Sequence, residues 1–115
     1  MKKLEIIIKP GKLDDLQELL EISEYHGIMI TNIMGCGNQR GNVGYTKKYR
    51  GAAASLNLLP KLKVECVVTG EEAEQITRQV CKEIRTGNYG DGKIFIYNVE
   101  EAVRIRTGES GEDAL

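Results

Sequence analysis

The sequence predicts an α+β domain in which a four-stranded antiparallel sheet carries two helices on one of its faces. Three observations indicate this fold. Short apolar or β-branched runs alternate with stretches of helical periodicity in the order β-α-β, long loop, β-α-β. The length of 115 residues is near the commonest size of a single domain. No uninterrupted apolar run is long enough to cross a membrane, so we expect a globular core.

The first β-α-β unit is predicted over residues 4–34. Residues 4–8 form an apolar run that stops at a Pro-Gly pair, as a strand does. Leucines then recur at helical spacing and predict a helix over roughly residues 12–25, which closes near Gly27. Residues 28–34 are rich in β-branched side chains and predict the second strand.

A long segment from Gly35 to about Ala54 shows no apolar period and contains five glycines. Connections of this length are uncommon in compact domains and are usually functional. Between Tyr25 and Val64 the chain has no acidic residue but six lysines and arginines. A solvated basic loop would explain this composition, and so would a surface that attracts anions or an acidic partner.

The second β-α-β unit follows this loop. Residues 62–68 predict the third strand and residues 93–98 the fourth. Between them, Thr69 and Glu72 have the spacing of a capping box. The helix that they begin has apolar residues on one face and Gly87 at its end. Two such units side by side give the ferredoxin-like βαββαβ arrangement.

The face of the sheet that the two helices leave uncovered predicts self-association, because no further helix remains to cover it. We expect apolar strand residues on that face, namely Ile6, Ile8, Val64, Cys66 and Ile94.

Cysteine, histidine and N-terminal patterns bear on the class of protein. Three widely spaced cysteines lack any zinc-type spacing, which favours reduced thiols in the cytoplasm. The N-terminus carries charges next to its first apolar residue, unlike a secretion signal. No Ser/His or Cys/His arrangement indicates a nucleophile, so we expect a regulatory protein rather than an enzyme.

The candidate site is the segment TGNYGDGK at residues 86–93, which connects the second helix to the last strand. Its three glycines free the backbone to present successive N–H groups to an anion, and Lys93 adds a positive charge. A phosphate-binding turn and a plain helix-to-strand turn both fit this composition.

Several further segments occur in register with that loop. They are the opening MKKLEIIIKP, the run GCGNQRG at residues 35–41, Tyr-Arg-Gly at 49–51, Leu-Pro-Lys at 59–61, the continuation KIFIYNV, and RIRTGE at 104–109. Together they resemble the PII nitrogen-regulatory signal-transduction family over nearly the whole chain. The resemblance implies a cytoplasmic homotrimer with one domain over residues 1–115 and a long T-loop at about 36–55.

The resemblance implies that ATP or ADP binds in clefts between neighbouring subunits. Gly90 to Lys93 would wrap the phosphates, and Arg104 and Arg106 would reach them from the adjacent subunit, on one side of an extended segment. Without the resemblance, these two arginines would be interpreted as surface partners of nearby glutamates. The nucleotide-binding positions are Gly27, Ile28, Met29, Gly35, Cys36, Gly37, Asn38, Gln39, Val67, Thr86, Gly90, Asp91, Gly92, Lys93, Arg104 and Arg106.

The same resemblance implies a second effector, 2-oxoglutarate, bound together with Mg-ATP. Gln39 would ligate the Mg²⁺ that bridges ATP and the keto-acid, because a hard cation prefers oxygen ligands. Lys61 would pair with the keto-acid carboxylate, and Gly90 would line the same pocket. The resemblance leaves very slow ATP hydrolysis open.

The resemblance also implies a partner protein. Tyr49, Arg50 and Gly51 would contact it through the T-loop; an ammonium transporter or another nitrogen-metabolism protein fits. Alternatives are a family member that regulates glutamine synthetase or nitrogenase, and a nucleic-acid-binding ferredoxin-like module that stacks bases on Phe95 and Tyr97. We expect neither direct nucleic-acid binding nor membrane insertion.

Three departures from the family pattern stand out. Met29 occupies a position where a Thr or Ser is common, so a polar contact to adenine would be lost. The spacing from Gln39 to Tyr49 is about three residues longer than in family members. Ala54 stands where uridylylated members carry a tyrosine, so the acceptor hydroxyl is absent there.

Overall fold

The computed structural model describes residues 1–22, 27–36, 46–49 and 52–115. Its elements in chain order are β1 (Lys2–Ile8), a 3₁₀ turn (Pro10–Lys12), α1 (Leu13–Ile22), β2 (Met29–Gly35), β3 (Thr46–Tyr49), β4 (Ala52–Asn57), β5 (Leu59–Val68), α2 (Gly70–Glu83), β6 (Lys93–Asn98) and a final 3₁₀ turn (Gly111–Ala114).

The main sheet has the strand order β2-β5-β1-β6, and every pairing in it is antiparallel. The two central strands are therefore β5 and β1, which come from opposite halves of the chain. With the two helices this is the ferredoxin-like βαββαβ fold that the sequence predicts. The predicted bounds of the last strand, residues 93–98, are confirmed.

The core lies between the helices and one face of the sheet. Leu4, Ile6 and Ile8 of β1 alternate with residues that point away, and their β5 partners are Cys66, Val64 and Leu62. The helices add their own apolar residues to the same cluster, namely Leu16, Leu20, Ala73, Ile76, Val80 and Ile84. Removing this aliphatic surface from water is the main favourable term in folding the domain.

The prediction of which strand residues face outward was wrong. Ile6, Ile8, Val64 and Cys66 are at most 1% exposed beneath the helices, and Ile94 packs partly buried against them. In a strand, neighbouring residues alternate between faces, and the helices cover the more apolar set. The uncovered face instead carries the mixed set Lys3, Glu5, Ile7, Met29, Lys63, Glu65, Val67, Lys93, Phe95 and Tyr97.

The start of α2 confirms the predicted capping box. The Glu72 main-chain N–H donates to Thr69 Oγ1 at 3.3 Å, and the Thr69 N–H donates to Glu72 Oε2 at 2.7 Å. The helix ends at Glu83, four residues before Gly87, so the intervening residues belong to the loop that follows. That loop therefore starts earlier than the apolar pattern indicates. No described helix is both long and apolar enough to cross a membrane.

The segment predicted to lack structure, 35–54, contains more strand than expected. β2 runs on to Gly35, and β3 pairs with β4 as a separate two-stranded sheet in which Thr46 lies opposite Asn57. Main-chain hydrogen bonds build this hairpin without an alternating apolar pattern, so periodicity gave no sign of it. Five predicted site residues lie outside the described ranges: Gly37, Asn38, Gln39, Arg50 and Gly51.

Candidate functional site

The loop between α2 and β6 is organised around the carboxylate of Asp91. Its Oδ2 accepts the main-chain N–H groups of Thr86, at 2.8 Å, and Gly87, at 2.9 Å, while its Oδ1 accepts the Thr86 hydroxyl. These hydrogen bonds, first that of the Thr86 hydroxyl, hold the pKa of Asp91 below its usual value, with help from Lys9. Asp91 therefore closes the loop on itself as an ionised group.

Glycines give this loop a backbone path that other residues rarely take. Gly87, Gly90 and Gly92 all have positive φ, between 84° and 108°. At Gly92 the loop also passes against β1, where a Cβ would lie 1.7 Å from the carbonyl oxygen of Ile7. Only glycine allows this approach, so the loop is fixed against the sheet at its last turn.

Lys61 joins the loop to the sheet. Its side chain extends from near the start of β5, and Nζ donates to the Gly90 carbonyl oxygen at 2.7 Å. Burial, together with the nearby charge of Lys9, lowers the pKa of Lys61, although Asp91 acts in the opposite direction. An anion entering here would offset that unfavourable environment.

A cavity of about 500 Å³ opens beside these groups, a size typical of small-molecule sites. Its wall includes Asn88 and Tyr89 of the loop, and Ile7 and Phe95 of the sheet. The predicted site residues that it brings together are Gly35, Cys36, Lys61, Gly90, Asp91, Gly92 and Lys93.

Another group of predicted nucleotide-binding residues lies elsewhere. Gly27 and Ile28 precede β2 and Met29 begins it, whereas Gly35 ends it. At the rise of a strand, the two ends of β2 are roughly 20 Å apart. Val67 lies near the same distant end, on β5 two residues beyond Glu65, the register partner of Met29. One chain therefore does not bring the two groups into one cleft.

The segment after β6 holds the two predicted arginines in a turn, not in the extended conformation that we expected. The Gly108 N–H donates to the Arg104 carbonyl oxygen at 2.7 Å and closes the turn. The Arg104 guanidinium donates to Glu109 Oε2 at 2.7 Å, so the interpretation of this arginine as the partner of a glutamate is confirmed. Within the described part of the chain, Arg106 has no ion pair.

Two contributors to the site were missed from the sequence. Lys9 follows β1, and its Nζ lies 3.8 Å from Asp91 Oδ1. Glu109 entered the sequence analysis only among the nearby glutamates that could pair with the arginines. For Lys9 the sequence offered one signal: it is a lysine at the end of a strand whose neighbours in the sheet carry predicted site residues.

The fold and the site together define a small ferredoxin-like domain with a glycine-rich, lysine-lined cleft at one end of its sheet. Comparison with known proteins specifies the family. The family model for nitrogen regulatory protein P-II matches residues 1–109, and the chain belongs to that family.

Similar proteins match along the whole chain. It is 48% identical to nitrogen regulatory protein P-II of Pasteurella multocida and 49% identical to that of Rhizobium meliloti, with complete coverage of both sequences in each case. It is 44% identical to nitrogen regulatory protein P-II 2 of Methanothermobacter thermautotrophicus, of which it covers 97%. These relatives carry the names of regulatory proteins.

Proposed function

We propose that this protein is a cytoplasmic sensor of nitrogen, carbon and energy status that binds ATP or ADP and, with Mg-ATP, 2-oxoglutarate. Bound ligands would set the conformation of its T-loop, and the loop would act on a partner protein. The observation that carries the proposal is the cleft at residues 88–93, where Lys61 and the close approach of Gly92 to β1 fix a glycine-rich loop to the sheet.

The phosphates would lie along the loop from Gly90 to Lys93. Positive φ angles at Gly90 and Gly92 favour the turned backbone that presents N–H groups to an anion. Lys93 supplies charge, and we assign Asp91 to shaping the loop, because its carboxylate already accepts hydrogen bonds from Thr86 and Gly87.

The keto-acid would lie near Lys61. A carboxylate there would pair with the Lys61 ammonium, whose charged form burial disfavours. Lys9 would add a second positive charge close by. In this proposal the amide oxygen of Gln39 would help to hold the Mg²⁺ that binds with ATP, and the metal would supply positive charge for the keto-acid. That assignment rests on the resemblance to the family, since Gln39 lies outside the described residues.

A homotrimer would complete the nucleotide cleft. The predicted cleft residues at the two ends of β2 are too far apart to share one ligand within a chain, so a neighbour must supply one group. Exposed apolar side chains also need cover: Phe95 and Tyr97 lie on the open sheet face, and Ile105 is fully exposed.

We expect light scattering at micromolar concentration to give three times the chain mass of 12.8 kDa. The open sheet face and the divided cleft are the physical reasons. A stable monomer under these conditions would contradict both the trimer and the shared cleft.

Arg104→Ala and Arg106→Ala are each expected to weaken ATP binding by about 1.5–3 kcal/mol, the range for a hydrogen bond to a charged group. Isothermal calorimetry measures the loss. Arg78→Ala is the matched control, because Arg78 is an exposed arginine on α2 that pairs only with Glu74 among the described residues. Wild-type affinity in both test variants would show that the cleft is misplaced.

The proposed partner surface is the T-loop around Tyr49, Arg50 and Gly51. Its basic, acid-free composition suits an acidic or carbonyl-lined receptor such as the mouth of an ammonium transporter. A glutamine synthetase- or nitrogenase-regulating role would use the same surface with a different receptor.

The uncovered sheet face favours nucleic-acid binding less than it favours the proposed sensor function. Lys3 Nζ lies 4.8 Å from the centroid of the Tyr97 ring, so that ring is already partly occupied by a cation. The same lysine pairs with Glu65 Oε1 at 3.3 Å, so its charge is already partly engaged within the protein.

A further inference from the structure

Arg104 is held at both ends of its guanidinium. Nη1 donates to Glu109 Oε2 at 2.7 Å, and Nη2 donates to the main-chain oxygen of Leu115 at 2.7 Å. The group is about one-third exposed, so these contacts form at a surface that a ligand can approach. A guanidinium binds phosphate through the same pair of N–H edges, which places the two kinds of acceptor in competition.

The Glu109 side chain is itself fixed in place. The Thr107 hydroxyl donates to the same Oε2 at 2.8 Å. Its oxygen also accepts the Glu109 main-chain N–H at 3.3 Å. The main chains of Arg104 and Glu109 are also joined, because the Arg104 N–H donates to the Glu109 carbonyl oxygen at 2.8 Å. The ion pair therefore belongs to a closed turn and is not a chance meeting of two long side chains.

We propose that Glu109 is an internal competitor that lowers the affinity of the protein for nucleotide by occupying the guanidinium of Arg104. The proposal rests on the proposed function, in which Arg104 meets the phosphates of ATP. An arriving phosphate either displaces the Glu109 carboxylate or shares the guanidinium with it. In the first case the ion pair with Glu109 is lost, and in the second the carboxylate and the phosphate repel each other. Either effect lowers the affinity for nucleotide.

The two arginines of this segment would then act differently. Arg106 has no acidic partner among the described residues, so it meets phosphate without a prior exchange. Arg104 meets phosphate only by giving up or sharing its two acceptors, Glu109 and the Leu115 oxygen. A sensor has reason for such a device, because an affinity that is too high would leave the site saturated and unresponsive to changes in ligand.

The test is calorimetry of ATP with wild type, Glu109→Gln, Arg104→Ala and the double variant. Glutamine keeps the shape of Glu109 and an oxygen acceptor for Thr107, but removes the charge. We expect Glu109→Gln to bind ATP about three- to fivefold more tightly, the size of an exposed ion pair. In the Arg104→Ala background the same change is expected to give no gain.

Glu100→Gln is the matched control, because it removes one negative charge from an exposed position of the same C-terminal segment. Its affinity for ATP should stay near that of the wild type. An equal gain in this control, or the same gain from Glu109→Gln without Arg104, would reduce the effect to net charge and overturn the proposal.

A weaker affinity in Glu109→Gln would also overturn it, because Glu109 would then be holding Arg104 ready for phosphate. The same calorimetry distinguishes failure of the proposed function from failure of this inference. If wild type binds no ATP, or Arg104→Ala binds it as wild type does, the cleft assignment fails and this inference fails with it. If Arg104→Ala weakens binding and Glu109→Gln leaves it unchanged, only the inference is lost.

Discussion

Gly92→Ala is expected to destabilise the domain by about 3 kcal/mol or more and to remove nucleotide binding. An added Cβ would lie 1.7 Å from the Ile7 carbonyl oxygen and 2.8 Å from its carbonyl carbon. Both are atoms of the central strand β1, which cannot move aside as the end of a flexible side chain can. The φ of +108° adds strain of about 1–3 kcal/mol for any residue with a Cβ.

Gly87→Ala separates the steric clash with β1 from the strain due to positive φ. Gly87 lies in the same loop with a φ of +84°, but nothing lies within 4 Å of the position of its Cβ. We expect this control to lose only the smaller amount of stability due to φ, about 1 kcal/mol. Thermal unfolding at a fixed protein concentration compares the two variants, because association shifts apparent stability.

Equal midpoints for the two alanine variants would show that the loop does not pass against β1 as described. A Gly92→Ala protein that unfolds like wild type and still binds ATP would contradict both the backbone contact and the importance of the loop.

The elements predicted best from the sequence are those whose signals are local. The capping box needs only Thr69 and Glu72 at the right spacing, and the bounds of β6 follow from a short apolar run after a glycine-rich turn. Helix α2 was also visible, because its buried residues repeat with helical period.

Predictions that depended on pairing across the chain were less successful. The alternation along β1 and β5 was evident, but which set lies under the helices depends on where Leu16 and Ile76 pack, and that is not a local property. For β3 and β4, a hairpin held by its main chain leaves no apolar period to detect.

The candidate site shows the same division. Glycines and Lys93 marked the loop, since turn composition is local. The Asp91 hydrogen bonds, the reach of Lys61 to Gly90 and the Arg104–Glu109 pair depend on side-chain positions, which only the folded chain defines. The residues that set the shape and charge of the cleft were therefore less predictable than its location.

Lys61→Gln is expected to abolish 2-oxoglutarate binding to the Mg-ATP form, with a loss of about 100-fold or more. Removing one member of a desolvated charge pair typically costs about 2–5 kcal/mol, because the other charge stays behind without a partner. Glutamine keeps an N–H donor, although one bond closer to the backbone, and Gly92 still holds the loop against β1, so the loop should keep its shape. ATP affinity is therefore expected to change by no more than about threefold.

Lys63→Gln is the matched control for this variant. Lys63 lies two residues further along β5, on the same open face, opposite Ile7 and Thr31. It carries the same charge but does not line the cleft of Lys61 and Gly90. Calorimetry with 2-oxoglutarate in the presence of Mg-ATP should give near wild-type affinity for this control, and equal losses in both variants would point to a general electrostatic effect.

The pH dependence gives a second test of Lys61. Burial and Lys9 lower the pKa of its ammonium group in the free protein, so the charged form begins to disappear below the ordinary lysine range. A carboxylate binds the charged form, so 2-oxoglutarate affinity should fall as pH rises toward that lowered pKa. In the Lys61→Gln variant the alkaline fall in the residual affinity should be smaller, with Lys9 still close by, while Lys63→Gln should keep the full fall. An alkaline fall as large in Lys61→Gln as in the wild type would assign the titrating group to another residue and remove Lys61 from the keto-acid pocket.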